Sequence, residues 1–234
     1  AQEKLSIINI INLNNSPYSP KDKGLNVFFD LGSWMGFSLS DEETNTGFSG
    51  PYILGLEHGI WSSNNFTSID LISKNGNSLL TNLNYSEQTY FPGKLENQLH
   101  FEDIELISNL IFTSDKISII SSKIINNGTR NLNFTPQWKG EIFDEIGDLI
   151  NNDTILITLL DKNQKIFLRP INDKEFNILT DSNKYVITLN NIILKPKESK
   201  TYTIEIQYHP DQKSIKKNTN RINVSQTIEN NHLR

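Results

Sequence analysis

Three tryptophans, Trp34, Trp61 and Trp138, stand in a chain rich in asparagine, and that pairing of residue types suits recognition better than reaction. A pyranose ring stacks its C–H face on an aromatic side chain while amides and carboxylates bond its hydroxyls. Trp34 and Trp61 flank loops and are the candidate ligand-binding residues; Trp138 alternates with Leu132 and Phe134 and reads as core. The residues that could catalyse are poorly placed for it. Asp41, Glu42 and Glu43 fall in a polar loop, and Glu141, Asp144, Glu145 and Asp148 line part of one surface. Charged side chains rarely bury without partners, so both groups read as solvated. His58, His100, His209 and His232 show no metal-ligand spacing, and there is no cysteine. No nucleophile elbow, phosphate loop or dinucleotide fingerprint is present, and Ser33 is misplaced for the first of these. We therefore assign no catalytic residue, no metal ligand and no cofactor.

The candidate tryptophans depend on the stretch Asn26 to Leu54, where Phe28, Phe29, Trp34, Phe37 and Phe48 alternate with Gly32, Gly36, Gly47 and Gly50. Rings beside glycines predict a tightly folded backbone against an aromatic core, a strand–loop–strand corner with Ser40 to Thr46 as its exposed loop. The rest of the chain is written for strands. Alanine occurs only at position 1, and β-branched residues are abundant. Strands are expected over Leu5 to Leu13, Phe66 to Ser73, Ser78 to Leu83, Leu99 to Phe112, Lys116 to Ile125, Thr154 to Leu160, Lys165 to Leu168, Lys184 to Leu189, Asn191 to Leu194 and Thr201 to Tyr208. Lys74 to Asn77 predicts a type I′ hairpin turn, and Phe91-Pro92-Gly93 a second turn. In the last strand Tyr202, Ile204, Ile206 and Tyr208 face inward, leaving Thr201, Thr203, Glu205 and Gln207 to solvent. Ile142, Phe143, Ile146, Leu149 and Ile150 have helical spacing, so Glu141 to Ile150 is a helix candidate despite Gly147. The fold expected is mainly β, a large antiparallel sandwich with little helix, over residues 1–210. Residues 211–234 turn polar and basic and read as a linker or docking segment.

Several of these motifs occur together in one known family. The run Phe28-Phe29-Asp30-Leu31-Gly32 with Trp34 and Gly36 following, then Gly47-Phe48 and Gly50, resembles the N-terminal β-sandwich domain of bacterial glycoside hydrolase family 63, the α-glucosidase-like enzymes. Pro92-Gly93-Lys94-Leu95, the stretch Ile104 to Ile125 and Trp138-Lys139-Gly140-Glu141 extend the resemblance, which fades beyond about Asp148. The resemblance implies a super-sandwich and a parent enzyme that hydrolyses α-glucosidic bonds of oligosaccharides by inversion. It also implies a partner, an (α/α)6 catalytic barrel carrying both catalytic carboxylates. No position here matches those carboxylates, so the chain alone is expected to be inactive. The same resemblance, with the Ala1-Gln2 start, implies a periplasmic or secreted protein. An oligosaccharide is a further possible ligand. A free-standing carbohydrate-binding module and a structural surface domain stay open as alternatives.

Charge and hydropathy narrow the remaining classes. The net charge is −5 with both signs interspersed, which gives no basic face for nucleic acid. No apolar run approaches the ~20 residues of a membrane-spanning helix.

Overall fold

The computed structural model describes residues 11–210, except Glu57, Asn152, Asp153, residues 160–162 and Lys174, and the side chains of Ile150 and Asn151. Residues 211–234 and 1–10, including most of the expected Leu5 to Leu13 strand, lie outside the described residues. Among the described residues sixteen strands run in order: β1 (Met35–Ser38), β2 (Ser49–Ile53), β3 (Ile60–Trp61), β4 (Ser68–Ser73), β5 (Leu83–Phe91), β6 (Lys94–Phe101), β7 (Ile104–Ser114), β8 (Ile117–Asn126), β9 (Leu132–Glu141), β10 (Gly147–Asn151), β11 (Ile155–Leu159), β12 (Lys165–Ile171), β13 (Phe176–Asp181), β14 (Lys184–Leu189), β15 (Ile192–Leu194) and β16 (Ser199–His209). The strands pair antiparallel throughout, and no helix occurs among the described residues.

Eight strands form one large sheet in the order β10-β11-β12-β16-β8-β7-β6-β5. A second sheet has the order β13-β14-β9-β15, with β4 pairing β9 as well. Period-two alternation gives each sheet one apolar face. Leu106, Leu110, Ile120, Ile204 and Leu168 from the large sheet meet Ile69, Phe134, Trp138, Ile187 and Leu189 from the smaller one in a single core. The third sheet, β1-β2-β3, is small and closes one corner of this sandwich, contributing Met35, Phe37 and Ile53 to the same core.

Five expectations are corrected. Glu141 to Ile150 is the end of β9, a turn and β10, not a helix. Ile142 and Ile146 are buried at helical spacing because the turn folds them in together, with the Ile146 amide donating to the Phe143 carbonyl at 2.9 Å. Leu99 to Phe112 is two strands. The chain reverses at Glu102-Asp103, pairing Phe101 with Ile104, without glycine, proline or asparagine to mark the turn. Ser78 to Leu83 makes only a bridge from Ser78 to Ile72 before β5 begins. Its turn is closed by the Gly76 amide on the Ser73 carbonyl at 2.9 Å, with positive φ at Gly76 and not at Asn75, so it is not type I′. Thr203 and Glu205 of β16 are buried, not solvated. The Phe91–Lys94 turn stands as expected, with Gly93 at φ 83°.

Candidate functional site

The corner sheet presents two faces. On strands β1 and β2, Met35, Phe37 and Ile53 point into the core. Trp34, Gly36, Tyr52 and Leu54 stand on the opposite side, where Gly36 pairs with Tyr52 and the Leu54 amide donates to the Trp34 carbonyl at 3.0 Å. The loop from Pro20 to Phe29 crosses this outer side. Gly36 makes room for it: a Cβ there would lie 2.6 Å from the Phe29 ring and 2.4 Å from Val27 Cγ1. Phe29 meets Tyr52 edge-on at 6.4 Å between centroids, and Tyr52 meets Trp61 edge-on at 5.2 Å.

This geometry separates the two candidate tryptophans. Trp61 is 0 % exposed. Its backbone amide donates to the Pro20 carbonyl at 3.0 Å and its indole Nε1–H to the Gly24 carbonyl at 3.1 Å, so the crossing loop seals it. It has no face open to a sugar and serves as an anchor. Trp34 is 46 % exposed, and Phe29, Leu31 and Leu54 of the same corner are exposed as well. The aromatic stretch is thus only partly core: Phe28, Phe37 and Phe48 are buried, Phe29 and Trp34 are not. Trp138 is fully buried as expected.

The acids behave as solvated groups where that was expected. Asp41, Glu42, Glu43, Asp144, Glu145 and Asp148 are exposed, and Glu141 lies 3.4 Å from Lys184. Two ion pairs escaped the sequence reading because each joins residues far apart in the chain. On the outer face of the large sheet Glu205, 3 % exposed, receives Arg169 Nε and Nη2 at 2.9 Å each and Gln207 Nε2 at 2.6 Å. It is the one buried carboxylate among the described residues, and all three of these donors meet its Oε1. Beside β4 and β9, a recess of about 290 Å³ is lined by Glu42, Asn45, Asn65, Asp70, Ser78 and Lys139. There Lys139 Nζ donates to Asp70 at 2.7 Å and the Ser78 hydroxyl at 2.5 Å. Burial pushes the Asp70 carboxyl up, but the bonds from Lys139, Ser78 and the Leu71 amide outweigh it and hold it below its ordinary value. Inverting glycoside hydrolysis takes a raised carboxylic acid and a carboxylate about 6.5–9.5 Å apart. Neither ion pair has that form. No group of three or more potential metal ligands occurs among the described residues.

Two facing antiparallel sheets closed by an aromatic corner define a large β-sandwich. The same architecture occurs in a candidate aldose 1-epimerase from Escherichia coli K12, with TM-score 0.53 and 8 % identity over 76 % of this chain and 96 % of that one. It occurs also in a candidate kojibiose phosphorylase from the human microbiome, with TM-score 0.50 and 12 % identity over 85 % of this chain. This chain spans 31 % of the length of that phosphorylase. At these identities the likeness is one of fold. Kinship comes from the sequence: the chain belongs to the glucosidase YgjK N-terminal family, whose profile matches residues 15–181. That range includes every motif on which the family resemblance was read.

Proposed function

We propose that this chain is the non-catalytic N-terminal domain of an inverting family 63 glycoside hydrolase acting on α-glucosidic bonds of oligosaccharides. It packs on an (α/α)6 catalytic barrel that carries both carboxylates, in a periplasmic or secreted enzyme. The observation that carries the reading is the family match over residues 15–181. It is supported by the chemistry of the described acids: the loop and turn acids are exposed, and the buried Glu205 is ion-paired with Arg169. The test is turnover of α-linked glucose disaccharides. The isolated chain should release no glucose, while the full-length parent polypeptide should release it first as the β-anomer, read by NMR. Steady turnover by the isolated chain, lost on Glu205→Gln, would overturn the reading.

One observation favours a second reading, a carbohydrate-binding module: the half-exposed ring of Trp34. Quenching of its fluorescence by soluble α-glucans, in a Trp61→Phe, Trp138→Phe background, would support that alternative.

A further inference from the structure

We propose that the outer face of the β1–β2 corner, formed by Phe29, Leu31, Trp34 and Leu54, is the surface on which the catalytic domain of the parent glucosidase docks. The inference rests on the reading above and adds to it the face and the residues that meet the partner.

The exposed apolar groups are unevenly distributed. Tyr18, Leu25, Phe29, Leu31, Trp34 and Leu54 fall within residues 18–54 and Ile11 shortly before them, whereas Tyr85, Leu179 and Ile193 stand singly on β5, β13 and β15. Within that stretch, Phe29, Trp34 and Leu54 share one face: Phe29 overlies Gly36, two residues from Trp34, and Trp34 is bonded through its carbonyl to Leu54. Taken at about 150–250 Å² per large side chain, the exposed fractions of Phe29, Leu31, Trp34 and Leu54 come to roughly 300 Å². An inter-domain contact of about 600–1,500 Å² takes half of its area from each side, so this patch matches the lower end of that range.

The face is also preorganised. Trp34 is held by its amide on the Asp115 carbonyl at 2.9 Å, and Phe29 is braced by Tyr52. Leu31 has a φ of 55°, a region that an L side chain enters at a cost, and its side chain is exposed there. An apolar side chain held in an unfavourable backbone conformation and presented to solvent gains nothing from its own chain. It gains when another surface covers it.

The identity of the occupant follows from where β16 ends. The Tyr208 amide donates to the Lys116 carbonyl at 2.8 Å, and Lys116 adjoins Asp115, which holds Trp34. Tyr208 also donates its hydroxyl to Gln164 Oε1 at 2.5 Å, and Gln164 Nε2 donates to the carbonyl of Gly55, next to Leu54, at 3.1 Å. The last strand is therefore tied on two sides to the apolar corner. The chain therefore leaves β16 beside this face, which makes it the first surface open to a domain that follows in the polypeptide.

The test measures binding of this chain to the separately expressed parent region that follows residue 234, by sedimentation velocity and calorimetry. Trp34→Glu and Leu54→Glu should each weaken the complex at least about tenfold, the loss expected of a central apolar anchor. Leu179→Glu, an exposed apolar position on β13, should leave it unchanged. Circular dichroism monitors folding of each variant. If Trp34→Glu does not fold, Leu31→Glu at the exposed tip tests the same face. Wild-type binding that survives the corner variants, or is lost equally with Leu179→Glu, overturns the face while leaving the proposed function standing. A complex with soluble glucan or with a second copy that is lost in Trp34→Glu, while the catalytic region still binds, does the same. No binding by wild type overturns both.

Discussion

Asp70 and Asp173 occupy half-buried surroundings that act on a carboxyl in opposite directions. At Asp70 the donors Lys139, Ser78 and Leu71 outweigh burial and lower the pKa. The folded state therefore favours the ionised form, and this stabilisation is present above the unfolded value near 3.8 and lost as pH falls through the lower folded value. Asp70→Asn should lower the urea midpoint at neutral pH, by an amount damped by solvent because the pair is partly exposed, and the deficit should close in strong acid. At Asp173 burial dominates over the opposing charge of Lys200 and raises the pKa. Its contribution is full below the unfolded value and is lost as pH rises through the folded one. Asp173→Asn should raise the midpoint at neutral pH; a lower midpoint there would show that the carboxylate has partners that outweigh its desolvation. Glu205 gives a third case. Arg169→Met leaves its buried charge with Gln207 as remaining donor and should cost on the order of 2–3 kcal/mol, read by denaturant midpoint. Neither ion pair was legible in the sequence, since Asp70 and Lys139 are brought together by the β4–β9 pairing, and Arg169 and Glu205 by the β12–β16 pairing. The two candidate tryptophans illustrate the same limit. Both adjoin loops, but only the tertiary course of Pro20 to Gly24 decides that Trp61 is sealed and Trp34 is open.

Among elements, the corner sheet turns that difference into stability. Trp61→Ala removes a fully enclosed ring and should cost about 3–5 kcal/mol, whereas Trp34→Ala, half-exposed, should cost roughly 1–2 kcal/mol. Equal shifts of the denaturant midpoint would contradict the placement of the two rings. Gly36→Ala should fall between them, because its Cβ meets the movable side chains of Val27 and Phe29 and not backbone. The strands themselves were largely legible. β8, β11, β14 and β16 announce themselves by runs rich in β-branched residues and β9 by the alternation of Leu132, Phe134 and Trp138, and their positions agree. The errors have a common cause. Period and turn chemistry are local, and where a single aspartate is the turn's one signal, as at Glu102-Asp103, two strands read as one. The spacing of Ile142 and Ile146 satisfies a helix, yet backbone pairing overrides it. The Ile142 amide donates to the Asn183 carbonyl and the Phe143 amide to the Ser62 carbonyl, each at 2.9 Å, which fixes the segment against two other loops. The burial of Thr203 and Glu205 was invisible for the same reason, since neighbours on β8 and β12 cover them.

On the scale of the whole molecule, the sandwich was legible from composition and from the family motifs, but the joining of the corner to the two large sheets was not. That joining makes the corner part of one cooperative unit. Phe28 and Phe37 pack their rings on Phe112 of β7 at 5.6 and 6.0 Å between centroids. Trp34 is bonded to the β7–β8 turn, and Trp61 is pinned by the loop that leads into Phe28. Met35, Phe37 and Ile53 belong to the same core as Trp138 and Ile206. A separate, less stable corner would instead open on its own at lower denaturant, as weakly packed regions do. Two single-tryptophan forms distinguish these outcomes. In a Trp34→Phe, Trp138→Phe chain the fluorescence reports Trp61 in the corner; in a Trp34→Phe, Trp61→Phe chain it reports Trp138 in the smaller sheet. Each form is compared with its own far-ultraviolet circular dichroism, so that stability lost through substitution cancels. Both fluorescence transitions should coincide with the loss of strand signal, as a single cooperative transition requires. A Trp61 transition that precedes the strand signal, with Trp138 still following it, would show that the corner unfolds independently.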